Sequence, residues 1–396
     1  MTPHPADRLS HDRAVVTQPV WNRFTPAGEA TGLEREVLLH AGPPFRAVAD
    51  VPAPVKNSAC VAAVFEGLAG DLDTAKAMIR AGEIRLAPAQ DHGVVTPLAA
   101  VVSASMPLHT VYDAHRGQVR VFAPINGGNG PAPRLGLRSM DVVAHLRWLN
   151  DAVAETLEAG IGEGIALLPL AAAGLAQGDD CHGRTPAATA ALIAELEART
   201  PGGLRDAQVR EFLAASPSMF LNLWMAATKC LMRLAEGVEG SACVTAAGGN
   251  GVETGIQVAG LPGRWFTAPA TPPVGTLEDG VDPARALPAI GDSAVVEAFG
   301  LGAMAIHLSP GQMAALGPHL PADAAARRAT LTLGGHPYFR DLDLRLGISA
   351  RAVARTGKGP VVGLGILDRT GAAGRLGGGI HEMAAAPFDA AVGALD

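Results

Sequence analysis

Apolar positions recur at two different periods along this chain, and the change of period divides it. In residues 72–81, Leu72, Ala75, Met78 and Ile79 share one helical face, and 58–68 precedes it as another short helix. Residues 84–87 read as a strand, Gln90-Asp91-His92-Gly93 as a turn, and 94–103 as a buried extended segment. Residues 111–112 and 119–124 alternate as strands before a loop rich in Gly, Pro and Asn at 126–133. From Ser139 to Gly237 the spacing is helical, with Val142, Val143, Leu146, Leu149, Val153 and Leu157 on one stripe. Thr185 is a good N-cap and Pro186 suits the first turn of a helix over 187–199. A shorter helix is expected over 204–214, and Ser216-Pro217 repeats the same start for a long apolar helix through Leu234.

Beyond Val238 glycine punctuates β-like runs. Residues 242–247 and 255–259 flank Gly248-Gly249-Asn250-Gly251, which reads as a hairpin turn, and 264–267 is a further strand. A long loop is expected over 268–288, and Asp292 is expected to cap a helix reaching Ala305. Strands are predicted at 329–333, 359–366 and 377–381. Because helices are grouped rather than alternating with strands, the pattern predicts an α+β, multi-domain fold: two mixed α/β regions around a helical middle domain. The expected divisions are an N-terminal arm or cap at 1–45, a first α/β region at 46–138, the helical domain at 139–237, and a glycine-rich α/β region at 238–396.

Charge and composition narrow the class. The formal net charge of −7 argues against a nucleic-acid footprint. The apolar run 165–176 is too short to span a bilayer, and 1–24 has no apolar segment of signal-peptide type. The four cysteines, Cys60, Cys181, Cys230 and Cys243, lack metal-finger or disulfide spacing, so a reduced cytoplasmic protein is expected.

The densest chemistry lies in Gly178-Asp179-Asp180-Cys181-His182-Gly183-Arg184-Thr185, a polar loop entering a helix. His182 is the best proton-transfer candidate, with Asp180 as its orienter. Arg184 and the N–H groups of the following helix offer an anion site. The plainer alternative is that the two aspartates close the loop and pair with Arg184. Metal binding is not expected, since ligands at adjacent positions rarely converge on one ion. Further binding candidates are Asp91 and His92 in their turn, Asn222 and Lys229 seven apart on one helix, Asn250 in the glycine run, Arg264, and Asp292 with Ser293 and Glu297. No nucleophile elbow, Walker A loop or dinucleotide fingerprint is present in the sequence.

Several segments together resemble one family. They are Ala87-Pro88-Ala89-Gln90-Asp91-His92-Gly93-Val94-Val95-Thr96-Pro97-Leu98, the loop 178–185, Phe220-Leu221-Asn222-Leu223-Trp224-Met225-Ala226-Ala227, Arg264-Trp265-Phe266-Thr267-Ala268-Pro269-Ala270 and Gly291-Asp292-Ser293-Ala294. In this order they are similar to the AllG (YlbE-like) family of bacterial allantoin and purine catabolism, from about residue 45 onward. The resemblance implies a subunit of oxamate carbamoyltransferase, which interconverts oxalurate plus phosphate with oxamate plus carbamoyl phosphate. It implies an FdrA-like partner, a third small subunit, small anionic substrates and no cofactor. His182, Asp180 and Arg184 would then be catalytic, with Asp91, His92, Asn222, Lys229, Asn250, Arg264, Asp292 and Glu297 binding substrate. Two departures stand out: Asp180 replaces the usual glutamate, and the glycine run lacks a basic residue near 249. The competing expectations are a non-catalytic scaffold for the FdrA-like chain, or a metal-dependent ureide hydrolase.

Overall fold

The computed structural model describes residues 3–395 except Gln118 and Asn129. Asn129 of the expected 126–133 loop, and the first two residues of the expected arm, lie outside that set. The strands, in chain order, begin with β1 (Pro19–Pro26), β2 (Val37–His40), β3 (Arg85–Pro88), β4 (Pro107–Asp113), β5 (Arg120–Pro124) and β6 (Ile165–Ala166). They continue with β7 (Val244–Asn250), β8 (Glu253–Val258), β9 (Leu261–Pro269), β10 (Val274–Leu277) and β11 (Ile290–Gly291). The last are β12 (Thr332–Gly334), β13 (Leu346–Ile348), β14 (Val361–Leu367) and β15 (Arg375–Glu382).

These strands form separate small sheets, and the fold is α+β. Antiparallel sheets run β5-β4-β1-β6, β11-β7-β8-β9 and β10-β15-β14. Two further pairs are the parallel β2-β3 and the antiparallel β12-β13. β1, within the stretch expected as an arm, sits between β4 and β6. The helix Leu72–Ala81 runs as its stripe predicts, capped by Asp71 and closed by Gly82 in the left-handed region. In the helix Leu167–Ala176, Pro169 falls within the first turn, where its missing N–H breaks no intrahelical bond.

The helix Met219–Ala235 is apolar nearly all round and packs against β4, β5, β7 and the N-terminal helix Pro5–Val15. Trp224, Phe220, Leu223 and Leu231 are fully buried on it. At about 1.5–3 kcal/mol for each large apolar side chain taken out of water, this element is a principal source of stability. Its core is continuous with Val95 and Val111 on one side and Val244, Val361 and Val362 on the other. A second core lies around the helices Ala53–Phe65 and Leu72–Ala81 with β2 and β3.

Several local expectations change. Gly248, Gly249 and Asn250 belong to β7, and the hairpin turns at Gly251 and Val252 instead. The glycines serve close packing: a Cβ at Gly249 would lie 2.4 Å from the Ala289 carbonyl, and one at Gly42 would lie 2.3 Å from Gly249. The expected 268–288 loop contains the edge strand β10. The expected helix from Asp292 to Ala305 is cut to Val295–Phe299, because Gly300 and Gly302 turn at positive φ. Residues 324–331 are helical up to Leu331, so the predicted 329–333 strand survives only as β12. Ser216 is not a cap: its hydroxyl donates to the Phe212 carbonyl and accepts from the Gly128 N–H, and the long helix starts at Met219.

Candidate active site

The loop 178–185 is held by its own aspartates. Asp179 accepts the Ala188 N–H at 2.9 Å and so caps the helix Pro186–Arg199, while the Thr185 hydroxyl donates to the Pro217 carbonyl. The helix N-terminus therefore already faces a carboxylate of the chain itself. Asp180 Oδ1 accepts the backbone N–H groups of His182 at 2.9 Å and Arg184 at 2.8 Å. Burial raises the pKa of both aspartates, against the pull of these N–H bonds. Cys181, directly after them, adopts φ 60°, a left-handed conformation that costs a non-glycine residue on the order of 1–3 kcal/mol. Burial and the two aspartates push its thiol well above the ordinary range, which makes it no nucleophile.

That strained loop presents the His182 ring to Glu297. Nδ1 lies 2.6 and 2.8 Å from the two carboxylate oxygens, and both side chains are buried. Burial alone would lower the imidazole pKa; the charge and hydrogen bond of Glu297, helped by Asp180, outweigh it and raise it. Glu297 also accepts the N–H groups of Ala303 at 3.0 Å and Gly363 at 3.2 Å, which fix its carboxylate. Gly302 makes room for the pair: a Cβ there, at φ 59°, would lie 2.2 Å from Glu297 Oε1 and 2.9 Å from His182 Cβ. Asp180, the expected orienter, thus holds the backbone of His182, and Glu297 holds its ring.

His182 Nε2 accepts or donates no hydrogen bond among the described residues, and His182 lines a cavity of about 710 Å³. The same cavity is lined by Asn126, Arg134, Ser218, Asn222, Ser293 and Gln312, with Gly363, Gly365 and Gly377 to Gly379 of β14 and β15 on one side. Leu98, a second non-glycine residue at positive φ (46°), also lines it. Asn222 Nδ2 donates to the Asn126 carbonyl at 2.6 Å and so braces the wall. Arg134 is held by Asn126 Oδ1 at 3.3 Å and by the Gly127 and Gly128 carbonyls at 3.3 and 2.8 Å.

The other sequence candidates lie elsewhere or serve the scaffold. Arg184 runs exposed beside Gly311 and is not part of the cavity lining. Asp292 is fully buried and accepts from Gly42 N–H, Gln90 Nε2, and the N–H and hydroxyl of Thr96; burial pushes its carboxyl up to about 6. Lys229 donates to the Thr245 carbonyl at 2.7 Å and lies 3.6 Å from Glu236, with burial lowering its pKa. Asn250 braces the hairpin, accepting from Val252 and Glu253 and donating to the Pro43 carbonyl. Asp91 accepts from Gln257 and Trp265, and with His92 borders a separate hollow beside Arg120 and Arg233. Arg264 is exposed and stacks on Phe266 at 4.9 Å. Among the described residues no group of three or more His, Cys, Asp and Glu side chains gathers around a point that would hold a metal.

Sequence reading missed Arg134, Arg375, Ser218 and Gln312. The available signal was faint: Arg375 is the one charge in the run 374–379, and Arg134 closes a Gly/Pro-rich loop.

A model of the family described as oxamate carbamoyltransferase subunit AllG matches residues 84–293, a span that takes in Arg134 and His182 and stops short of Glu297 and Arg375. The Escherichia coli (strain K12) oxamate carbamoyltransferase subunit AllG is 33% identical, over 96% of this chain and 94% of its own. The uncharacterized protein YahG of the same organism is 32% identical, over 98% of this chain and 84% of its own. The crystal structure of a conserved protein of unknown function from Enterococcus faecalis V583 matches with a TM-score of 0.91 at 29% identity, covering 98% of this chain and 96% of that one.

Proposed function

Since the chain belongs to the family of oxamate carbamoyltransferase subunit AllG, we propose that it contributes the proton-transfer site of a carbamoyl transfer between oxalurate and phosphate. The observation that carries this reading is the Glu297–His182 pair, with the ring fixed through Nδ1 and Nε2 left for a guest in the cavity. A raised pKa favours the protonated imidazole, which can act as an acid.

An oxygen of hydrogen phosphate attacks the ureido carbonyl carbon of oxalurate and forms the new C–O bond through a tetrahedral oxyanion. The C–N bond to the oxamate nitrogen then breaks, and that nitrogen takes the Nε2 proton of His182. The proton of the attacking hydrogen phosphate restores the imidazolium, so carbamoyl phosphate and oxamate leave with no net proton change. Glu297 keeps the ring oriented and offsets its positive charge, the usual work of a carboxylate behind a catalytic histidine. The cavity would receive two small anions, and cationic donors in it would lower the cost of bringing them together.

In this reading the chain works within a cytoplasmic assembly, beside an FdrA-like subunit and a third small one, and needs no cofactor. No helix among the described residues is long and apolar enough to cross a membrane. The test is phosphate-dependent release of oxamate from oxalurate by the reconstituted assembly, with parent chain and with H182A. Loss of turnover by a factor on the order of 10² or more is expected. Unchanged turnover would move the chemistry to the partner and leave this chain a scaffold. The near-equal identity to AllG and YahG favours running the same assay over several small amide acceptors besides oxamate.

A further inference from the structure

Two guanidinium groups, Arg134 and Arg375, line the cavity. Arg375 arches over β15, donating Nε to the Gly377 carbonyl at 2.9 Å, and a Cβ at Gly378 would lie 3.3 Å from one of its terminal nitrogens. Arg134 is clamped to carbonyl oxygens of the 126–128 loop through its terminal nitrogens. Among the described residues neither makes an ion pair; Glu278 also borders the cavity, exposed, and pairs with neither. Nε of Arg134 and both terminal nitrogens of Arg375 have no acceptor there.

Two like charges around one cavity repel, and burial together with Arg375 brings the Arg134 pKa down to about 10. Carbonyl oxygens hold both groups, but no carboxylate among the described residues neutralises either charge. A negative guest would, since a guanidinium fork matches a carboxylate or phosphate edge with two parallel N–H bonds. The absence of side chains at Gly365 and Gly378, which both face Arg375, leaves space for such a guest beside it.

We infer that Arg134 and Arg375 form a clamp for one small oxyanion in the cavity onto which His182 opens. The identity of the oxyanion rests on the carbamoyl-transfer reading, which offers two sources of the same chemistry: the carboxylate of an α-carbonyl acid, and phosphate. Arg375 is the adjustable half, exposed and tied down by one bond. Arg134 is the fixed half, set by its loop.

Calorimetric titration of the full-length chain with inorganic phosphate, and separately with oxamate, tests the clamp and tells the two sources apart. The parent chain is expected to bind at least one of them. R375A should weaken that anion on the order of tenfold or more, with R375K in between because a point charge replaces a fork. R134A should act in the same direction, and the thermal midpoint of R375A should match the parent because Arg375 is exposed. The clamp is overturned if the parent binds neither anion, or if either R375A or R134A binds as tightly as the parent. Adding H182A separates this inference from the reaction assigned above. If H182A abolishes turnover while R375A leaves anion binding intact, the clamp falls and the reaction stands. If R375A loses the anion while H182A turns over normally, the reaction falls and the clamp stands.

Discussion

His182 is pulled in two directions, and the balance is set by one neighbour. Its burial disfavours the imidazolium, and Glu297 at 2.6 Å restores it. In E297Q the amide keeps the shape and loses the charge, so burial is left as the larger influence and the His182 pKa falls. A histidine that must be protonated to donate then works over a lower pH range. The fall in kcat/KM on the alkaline side should move to lower pH in E297Q, together with the His182 titration followed by NMR. An unchanged titration would mean that Glu297 is not what holds the proton. The same reasoning has a stability side: a pair whose histidine is raised in the native state favours folding below the ordinary imidazole value, and that contribution disappears as pH rises through the native pKa.

At the level of elements, the loop 178–185 and the helix Pro186–Arg199 act as one unit, joined by a carboxylate. Thr185 and Pro186 mark where the helix begins, yet the bond to its first turn comes from Asp179, nine residues before the Ala188 N–H it accepts. D179A leaves that buried N–H without its acceptor and should cost about 1 kcal/mol, within the usual range of roughly 0.5–2 kcal/mol for a lost cap. Urea denaturation should show a lower midpoint at an unchanged slope. An identical midpoint would mean that another group takes over the cap. The break between Val295–Phe299 and the following turn belongs to the same scale. A continuous helix would have no Gly302 turn, and it is this turn that lets Glu297 and His182 approach without a side chain between them.

Across the whole molecule the buried histidines decide behaviour in acid. Burial takes His40, His336 and His381 to about 4 and His109 to about 3. The unfolded chain protonates such groups near the ordinary imidazole value, so between there and about 4 it binds more protons than the native chain. Stability should therefore fall as pH drops through that window. Asp292 works the other way, since a native carboxyl at about 6 holds its proton while the unfolded one has released it, and so do Asp179, Asp180 and His182; the lowered imidazoles, which also include His11, His145 and His307, outnumber them. Chemical denaturation at pH 7.5, 6 and 5, held at one ionic strength, is expected to give steadily lower midpoints. A flat profile would show that those imidazoles reach water in the native state.

Periodicity alone was enough for the grouping of helices and strands, for the helix Leu72–Ala81 and for the apolar character of Met219–Ala235, because these depend on neighbours three or four residues away. Loop chemistry singled out His182, while Glu297 was one among several binding candidates. Their pairing spans 115 positions, and no local pattern encodes which carboxylate a ring will meet. The same holds for the glycine run at 248–250, read as a turn and found as a strand, since the demand for glycine comes from backbone that crosses it from elsewhere. Arg134 and Arg375 lie 241 positions apart by number (375 − 134) and acquire meaning only on the walls of one cavity. Short-range rules set which segments become helix or strand; which polar groups face one another is decided by long-range packing, where burial removes water and makes each unpaired charge matter.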